Sequence, residues 1–276
     1  MSKFTAACVQ LRSSEDIAEN ISSASKLIRE AAKAGAQFIA TPENTSLMAA
    51  DGGAKLAHST SEDKDTALAA FRALATELNV HLLVGSLAIK VSDTKTANRS
   101  FLIAPDGNVT ARYSKIHLFD VDLPSGETYR ESNTVAGGDE AVIAQTPWGK
   151  LGLSICYDIR FPQLYRKLAN AGAFAFTAPS AFTVTTGKAH WHVLLRARAI
   201  ENGAFMIAPA QGGTHANGRS TYGHSLIVGP WGEILAEGGT DSGIFLAEID
   251  PELSKKARAE LPSLRHDREF RLNSGH

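Results

Sequence analysis

The stretch Leu151-Gly-Leu-Ser-Ile-Cys-Tyr-Asp-Ile-Arg-Phe-Pro162 carries the strongest indication of how this chain folds. Its mostly apolar first residues predict a buried strand, Leu151–Ile155, which ends directly before Cys156. Pro147-Trp-Gly149 is a turn sequence, so this strand is predicted to form a hairpin with Ala141–Thr146. Helical and strand patterns then alternate and complete a β-α-β-α-β unit. The further elements predicted for it are the helix Phe161–Ala171, the strand Phe174–Ala178, the helix Lys188–Asn202 and the strand Ala204–Ala208.

The first half of the chain follows a similar plan. Its predicted elements are the strand Phe4–Val9, a helix from Ile17 to Ala31, the strand Gln37–Ala40, the helix Glu62–Leu78 and the strand His81–Gly85. Two more hairpins are predicted at Pro105-Asp-Gly-Asn108 and Gly229-Pro-Trp-Gly232. We therefore predict an α/β fold, a four-layer α-β-β-α sandwich of two mixed sheets with outer helices. No low-complexity linker divides the chain, which predicts one domain over residues 1–260 and an extended or loose C-terminal arm over residues 261–276.

The composition favours a small molecule as the partner. The 276 residues carry a formal net charge of −1, with acids and bases interspersed. Binding to nucleic acid or to an anionic membrane would require a concentration of Lys and Arg. The N-terminus is predicted to form a strand rather than a signal peptide, and the apolar runs are shorter than the roughly 20 residues of a membrane span. Cys8 and Cys156 are therefore expected to be free thiols in a reducing, cytoplasmic setting.

Three predicted strands end close to a reactive side chain. Glu43, Lys115 and Cys156 each follow a different strand by a few residues at most. Because ligands gather at the carboxyl ends of strands in α/β sheets, we expect these three side chains to meet. Taken singly, the charged residues are more often solvated and a cysteine is often a buried apolar group. The set of three favours covalent acyl transfer.

The chemistry of amide cleavage requires these residue types. An amide carbonyl is a poor electrophile, so it needs a strong nucleophile such as the Cys156 thiolate. Glu43 is predicted to act as the general base that removes the thiol proton. Lys115 and the backbone N–H of Tyr157 are predicted to stabilise the oxyanion of the tetrahedral intermediate. This reaction needs neither a metal ion nor an organic cofactor.

Three segments resemble the signature segments of the nitrilase superfamily of carbon–nitrogen hydrolases. They are Pro42-Glu43, Tyr113-Ser-Lys-Ile-His-Leu118 and Gly152-Leu-Ser-Ile-Cys-Tyr-Asp-Ile-Arg-Phe-Pro162. The resemblance covers nearly the whole chain and implies a triad of Glu43, Lys115 and Cys156. Tyr129-Arg-Glu-Ser132 is similar to a segment whose glutamate, here Glu131, contacts the lysine and positions the substrate amide. Glu127 is the alternative for that role.

Other segments resemble the Nit amidase branch of the superfamily. They include Pro179-Ser-Ala-Phe182, Leu194-Leu-Arg-Ala-Arg-Ala-Ile-Glu201, Ala208-Pro-Ala-Gln-Gly-Gly213 and Arg219-Ser-Thr-Tyr-Gly-His224. This resemblance implies an amidase that converts the terminal carboxamide of a small acid to carboxylate and ammonia through a cysteine thioester. The preferred substrate is the deaminated form of glutathione, and 2-oxoglutaramate, the omega-amidase substrate, is the close alternative. Nitrile and N-carbamoyl hydrolysis remain open. The resemblance also implies a homodimer, or a larger homo-oligomer, formed through the helical faces.

The residues that bind the substrate are less clearly indicated by the sequence than the triad. Arg160, next to the nucleophile segment, is predicted to position substrate, or to hold the turn structurally together with Asp158. Arg160, Lys188 and Arg219 are the candidates for binding a substrate carboxylate. The segments expected to shape the pocket are the loops Asn44–Lys55, Asp120–Glu131 and Phe182–Lys188.

Two rival functions follow from the same residues. Any of His117, His190, His192 and His224 could pair with Cys156 in a papain-like Cys–His hydrolase. A non-catalytic binding protein on the same fold is the second rival. The spacing of these histidines matches no metal-binding motif, so we predict no metal site.

Overall fold

The computed structural model describes residues 2–124 and 126–275, in which sixteen strands and six α-helices are present. The strands are β1 (Phe4–Gln10), β2 (Phe38–Ala40), β3 (His81–Lys90), β4 (Thr96–Ile103), β5 (Val109–Ser114), β6 (Asp120–Asp122), β7 (Thr128–Arg130), β8 (Ile143–Thr146), β9 (Gly149–Leu153), β10 (Ala175–Thr177), β11 (Phe205–Ala208), β12 (Gly212–Thr214), β13 (Ser220–Tyr222), β14 (Leu226–Val228), β15 (Ile234–Glu237) and β16 (Gly243–Ile249). The helices are α1 (Ile17–Lys33), α2 (Gly52–His58), α3 (Thr66–Leu78), α4 (Pro162–Asn170), α5 (Val184–Asn202) and α6 (Pro251–Glu260).

The two large sheets of the described chain share one pattern of strand directions. The first has the order β16-β1-β2-β3-β4-β5 and the second has the order β8-β9-β10-β11-β14-β15. In each, three parallel strands at the centre are flanked by antiparallel strands, one on one side and two on the other. The carboxyl ends of β2, β9 and β10 therefore point to one edge of the sandwich, where the candidate site lies.

Buried side chains alternate along the strands between the face that meets the other sheet and the face that meets the helices. On β1, Ala6 and Cys8 pack toward the second sheet, whereas Ala7 and Val9 pack toward α1 and α3. The second sheet is covered on its other side by α4 and α5, which contribute Leu164, Leu168, Trp191 and Leu195 to the same core. Side chains of successive strand residues point to opposite faces, so this pattern produces four layers. The predicted α-β-β-α sandwich of two mixed sheets is confirmed.

The three predicted hairpins are also present, as β4–β5, β8–β9 and β14–β15. The predicted start of the helix Lys188–Asn202 was wrong, because α5 begins at Val184. The sequence Val184-Thr-Thr-Gly187 has low helix propensity. The turn forms because the Thr183 side chain accepts a hydrogen bond from the Thr186 N–H at 3.3 Å, and because Gly187 lets the ring of Tyr222 pack where a Cβ would stand.

The chain beyond α6 has little regular structure. Helix α6 ends at Glu260, directly before the predicted arm, and a single 3₁₀ turn follows at Ser263–Arg265. From His266 to Gly275 the described residues form neither helix nor strand and are exposed, including Phe270 and Leu272. Met1 and His276, the outer limits of the predicted domain and arm, lie outside the described residues.

Candidate active site

Cys156 sits in a sharp turn at the end of β9. It is a non-glycine residue with a left-handed backbone conformation, φ +49°. This conformation is rare for residues with a Cβ, and such strain is concentrated at functional sites. The Cys156 N–H donates to the carbonyl of Pro179 at 2.9 Å, which fixes the turn against the segment that follows β10. The side chain is 7% exposed. The turn therefore holds one buried thiol at the edge of the sheet.

The fully buried carboxylate of Asp158 holds this turn. One oxygen, Oδ2, accepts from the Ile155 N–H at 2.8 Å and from the Tyr113 hydroxyl at 2.6 Å. The other, Oδ1, accepts from the His117 N–H at 3.0 Å and lies 2.7 Å from His117 Nδ1. Asp158 thus joins the Cys156 turn to the end of β5, on both sides of Lys115. Asp158 thus has the structural role of holding the turn, as the sequence suggested.

Glu43 is buried and accepts three hydrogen bonds. Its Oε1 accepts from Lys115 Nζ and from Asn98 Nδ2, both at 2.9 Å, and its Oε2 accepts from the Ala181 N–H at 3.0 Å. Oε2 accepts only one of the three, so it keeps acceptor capacity. The Glu43 side chain also lies within hydrogen-bonding reach of the Cys156 thiol.

Lys115 lies between two glutamates. Its Nζ is 2.9 Å from Glu43 Oε1 and 2.8 Å from Glu131 Oε2. Burial lowers the pKa of Lys115, but the charges of Glu131 and Glu43 outweigh it and raise the pKa well above its usual value. Burial likewise opposes ionisation of Glu131, yet the charge and hydrogen bond of Lys115 bring its pKa to about 2. Lys115 is therefore a fixed cation and Glu131 a fixed anion.

Of the two glutamates considered for the place next to the lysine, the structure brings Glu131 to it. Glu131 also accepts from the Phe119 N–H at 2.8 Å and, through Oε1, from Asn98 Nδ2 at 3.1 Å. Glu127 is exposed and accepts from the Tyr129 hydroxyl at 3.1 Å.

The electrostatics favour a neutral thiol at rest. Burial raises the pKa of Cys156, the negative charge of Glu43 raises it further, and Lys115 opposes them less strongly. A thiol held neutral beside a carboxylate needs a base at the moment of attack, and Glu43 is placed to serve as one.

A cavity of about 330 Å³ opens onto these groups. Its volume falls within the range of small-molecule sites. The three segments expected to shape it all contribute, through Asn44, Ala49–Gly52, Lys55, Thr128–Glu131, Phe182, Thr183 and Thr186. Part of each is regular structure rather than loop: α2 begins in the first segment, the β6–β7 pair lies in the second and the first turn of α5 in the third. No histidine of residues 2–124 and 126–275 lines the cavity, which argues against the papain-like alternative.

The candidate substrate-binding residues separate into two groups. Tyr157 and Arg219 line the cavity, whereas Arg160 and Lys188 do not. The Arg160 guanidinium lies over the rings of Tyr157 and Phe182, 5.8 and 5.6 Å from their centroids, so it supports the cavity wall from behind. Its prediction as a residue that contacts substrate is therefore not supported by its position. Tyr157 is the second residue of a 3₁₀ turn, where backbone N–H groups lack intrahelical partners.

Two residues of the site were not predicted from the sequence. Asn98 donates to both Glu43 and Glu131, and Lys55 points into the cavity with its Nζ 3.0 Å from Asn44 Oδ1. Asn98 lies inside the strand β4, on a face whose approach to the site depends on sheet pairing. Lys55 follows no motif, although it closes the segment Asn44–Lys55 that was expected to shape the pocket.

The sequence and the overall fold match a known class of enzymes. The family model for carbon–nitrogen hydrolases matches residues 5–259, and the chain belongs to this family. The deaminated glutathione amidase of a Synechocystis strain is 44% identical over 271 residues, which cover 96% of this chain and 98% of that protein.

No helix among the described residues is long and apolar enough to cross a membrane.

Solved structures show the same architecture. The Caenorhabditis elegans NitFhit protein superposes with a TM-score of 0.90 at 34% identity, covering 97% of this chain and 66% of that one. A mutant of the amidase from Nesterenkonia sp. AN1 superposes with a TM-score of 0.80 at 25% identity, over 94% of this chain and 95% of that one. That structure holds the acetamide moiety of fluoroacetamide covalently on its active-site cysteine.

Proposed function

We propose that this chain is an amidase that cleaves deaminated glutathione through a thioester on Cys156. The observation that carries the proposal is the buried set of Glu43, Lys115 and Glu131 around a thiol at the floor of one cavity. The similarity of the chain to the Synechocystis deaminated glutathione amidase supports the choice of substrate.

Acylation begins with transfer of the Cys156 proton to Glu43. The thiolate attacks the amide carbon, a C–S bond forms, and the carbonyl electrons move onto oxygen. Lys115 and the Tyr157 N–H stabilise this oxyanion without having to reorganise, since hydrogen bonds to Glu43 and Glu131 already orient the lysine. Glu43 then gives its proton to the departing nitrogen, and the C–N bond breaks.

Deacylation uses the same groups in reverse order. Glu43 takes a proton from a water molecule, whose oxygen attacks the thioester carbon. The second tetrahedral intermediate expels the Cys156 sulfur, the C–S bond breaks, and the sulfur recovers its proton from Glu43. The product is a carboxylic acid, and no electrons pass to or from an external carrier.

The choice of acid depends on the charges around the cavity. Lys115 is already neutralised by two glutamates, so Lys55 and Arg219 are the cations best placed to bind a substrate carboxylate. The buried Nε of Arg219 has no hydrogen-bond partner within the described residues. Deaminated glutathione carries a carboxylate at each end, and its leaving group is the amine of cysteinylglycine. The expectation of a terminal carboxamide and released ammonia was therefore wrong for this substrate and holds only for 2-oxoglutaramate, the alternative.

A substrate comparison tests this function. Hydrolysis rates would be measured for deaminated glutathione, 2-oxoglutaramate, a small nitrile and an N-carbamoyl acid. We expect the highest kcat/KM for deaminated glutathione, with release of 2-oxoglutarate and cysteinylglycine. Cys156→Ala should remove all activity, whereas the matched variant Cys8→Ala, at a buried thiol in the core, should keep it. Equal or higher kcat/KM for 2-oxoglutaramate would replace the proposed substrate, and an active Cys156→Ala variant would end the proposal.

We further propose a homodimer that forms through the outer helical face, in the cytoplasm. Apolar side chains project there from α5 and its neighbours: Val193 is 68% exposed, Trp231 60% and Leu253 44%. Both cysteines are free, as a reducing compartment requires. Light scattering tests the dimer. A monomeric mass, or a dimer unaffected by Val193→Lys, would contradict it.

A further inference from the structure

Two histidines and a glutamate meet outside the cavity, where α5 packs near β15. His192 Nε2 lies 2.9 Å from Glu237 Oε1, and His224 Nδ1 lies 3.2 Å from the same oxygen. One atom of each residue lies within 4.8 Å of the other two. His192 belongs to α5, His224 precedes β14 and Glu237 ends β15, so the fold alone brings them together. The proposed amidase mechanism uses none of the three.

The His224 side chain is held in place before any ligand arrives. Its backbone has the left-handed φ of +54°. Its N–H donates to the Gly239 carbonyl at 2.7 Å, and its own carbonyl accepts from Trp191 Nε1 at 2.7 Å. The ring of Tyr222 stacks on the imidazole with 4.3 Å between centroids. The position and the plane of this imidazole are therefore both fixed.

The charge and the exposure of the cluster suit a cation. One oxygen of Glu237, Oε1, is the shared partner of both imidazoles, so a carboxylate stands between the two rings. The three side chains are 29%, 26% and 38% exposed, which leaves a route for an ion and room for a water ligand.

We propose that His192, His224 and Glu237 form a binding site for a divalent transition-metal ion, with Zn²⁺ as the best fit. Two imidazole nitrogens and one carboxylate oxygen are borderline ligands that zinc accepts, with water in the fourth position. Tetrahedral zinc with bonds of about 2.0–2.2 Å places its ligand atoms about 3.3 Å apart. As the ion displaces the bridging protons, the contacts to Glu237 would widen by a few tenths of an ångström. The two imidazole nitrogens, which lie within 4.8 Å of each other, would close by at most about 1.5 Å. No metal was predicted from the sequence because these positions form no local motif.

Calorimetric titration of ZnCl₂ into the full chain, prepared without a histidine tag, tests the site. We expect about one ion per chain, with the oligomeric mass checked by light scattering. The variants His192→Gln, His224→Asn and Glu237→Gln should each weaken binding by about tenfold or more, because each removes one ligand. Asn is chosen at 224 because it tolerates the left-handed backbone. The matched control is His190→Gln, on the same helix and exposed, which should bind zinc like the parent chain.

Two further measurements distinguish the site from other causes. Thermal unfolding without zinc verifies that each variant is folded, and added zinc should raise the Tm of the parent chain but not of the three ligand variants. Titration of Cys156→Ala separates this site from the cavity thiol. The proposal is overturned if the parent chain binds no zinc, if the ligand variants bind it as tightly as the parent, or if binding disappears in Cys156→Ala.

Discussion

Replacing Glu131 by Gln removes one charge from the site while keeping the size of the side chain. Both carboxylate oxygens accept hydrogen bonds: Oε2 from Lys115 and the Phe119 N–H at 2.8 Å each, and Oε1 from Asn98 at 3.1 Å. A glutamine has one oxygen and one NH₂ group, so either orientation turns a donor toward a donor. The variant must therefore lose at least one of these contacts and shift the lysine or the asparagine.

The structure sets the size of the effect. A hydrogen bond to a charged group contributes about 1.5–3 kcal/mol. Because Lys115 is proposed to stabilise the oxyanion, most of this loss should appear in the transition state. The expected fall in kcat/KM is about 10- to 150-fold, carried mainly by kcat.

The assay is steady-state hydrolysis of deaminated glutathione, with Glu127→Gln as the matched variant. Glu127 is exposed on the same hairpin, and its neutralisation should change kcat/KM by less than about twofold. A folded Glu131→Gln enzyme with the activity of the parent chain would refute the reasoning. So would an equal loss in both variants, because the effect would then be a general one of charge.

Three other perturbations test the role of Asp158 in the turn, the ionisation of Glu131 and the binding of substrate by Arg219. Asp158→Ala leaves up to four hydrogen-bond donors without their acceptor at a fully buried position. The free energy of unfolding in urea should therefore fall by about 3–5 kcal/mol. An unchanged value would show that Asp158 does not hold the turn. The pKa of Glu131 is about 2 in the folded chain, below its ordinary value of 4.5, so its stabilisation is present above pH 4.5 and is lost as the pH falls toward 2. The difference in unfolding free energy between the parent and Glu131→Gln should therefore shrink from about pH 6 to about pH 3, and a constant difference would contradict the linkage. Arg219→Gln should raise KM for deaminated glutathione by about tenfold with a smaller change in kcat, whereas an unchanged KM would remove Arg219 as the carboxylate partner.

Much of the architecture follows from local sequence patterns. Apolar periodicity and turn residues predicted both α/β halves and the three hairpins, because each strand is bounded by residues with strong conformational preferences. The triad residues follow three strands, and the tendency of ligands to gather at the carboxyl ends of strands predicted that they meet. Because β2 and β5 belong to one sheet and β9 to the other, the packing of the two sheets completes the site. The start of α5 was missed because tertiary contacts of Thr183 and Gly187 override a low helix propensity.

The features of the structure that differ from the sequence predictions depend on contacts between distant segments. Asn98 joins the site only because β4 pairs with β3, which sets which face of the strand meets Glu43. Arg160 was predicted as a substrate ligand from its place near Cys156, yet its guanidinium packs behind the cavity wall. His192 and Glu237 are brought together by packing of α5 on the second sheet, and no spacing along the chain encodes that contact.

The most direct test of the central claim is mass spectrometry of the chain quenched in acid during turnover of deaminated glutathione. We expect a mass gain equal to one 2-oxoglutaryl group, located on the peptide that contains Cys156 and absent from Cys156→Ala. An acyl group on a different residue, or hydrolysis by Cys156→Ala at the rate of the parent chain, would contradict it.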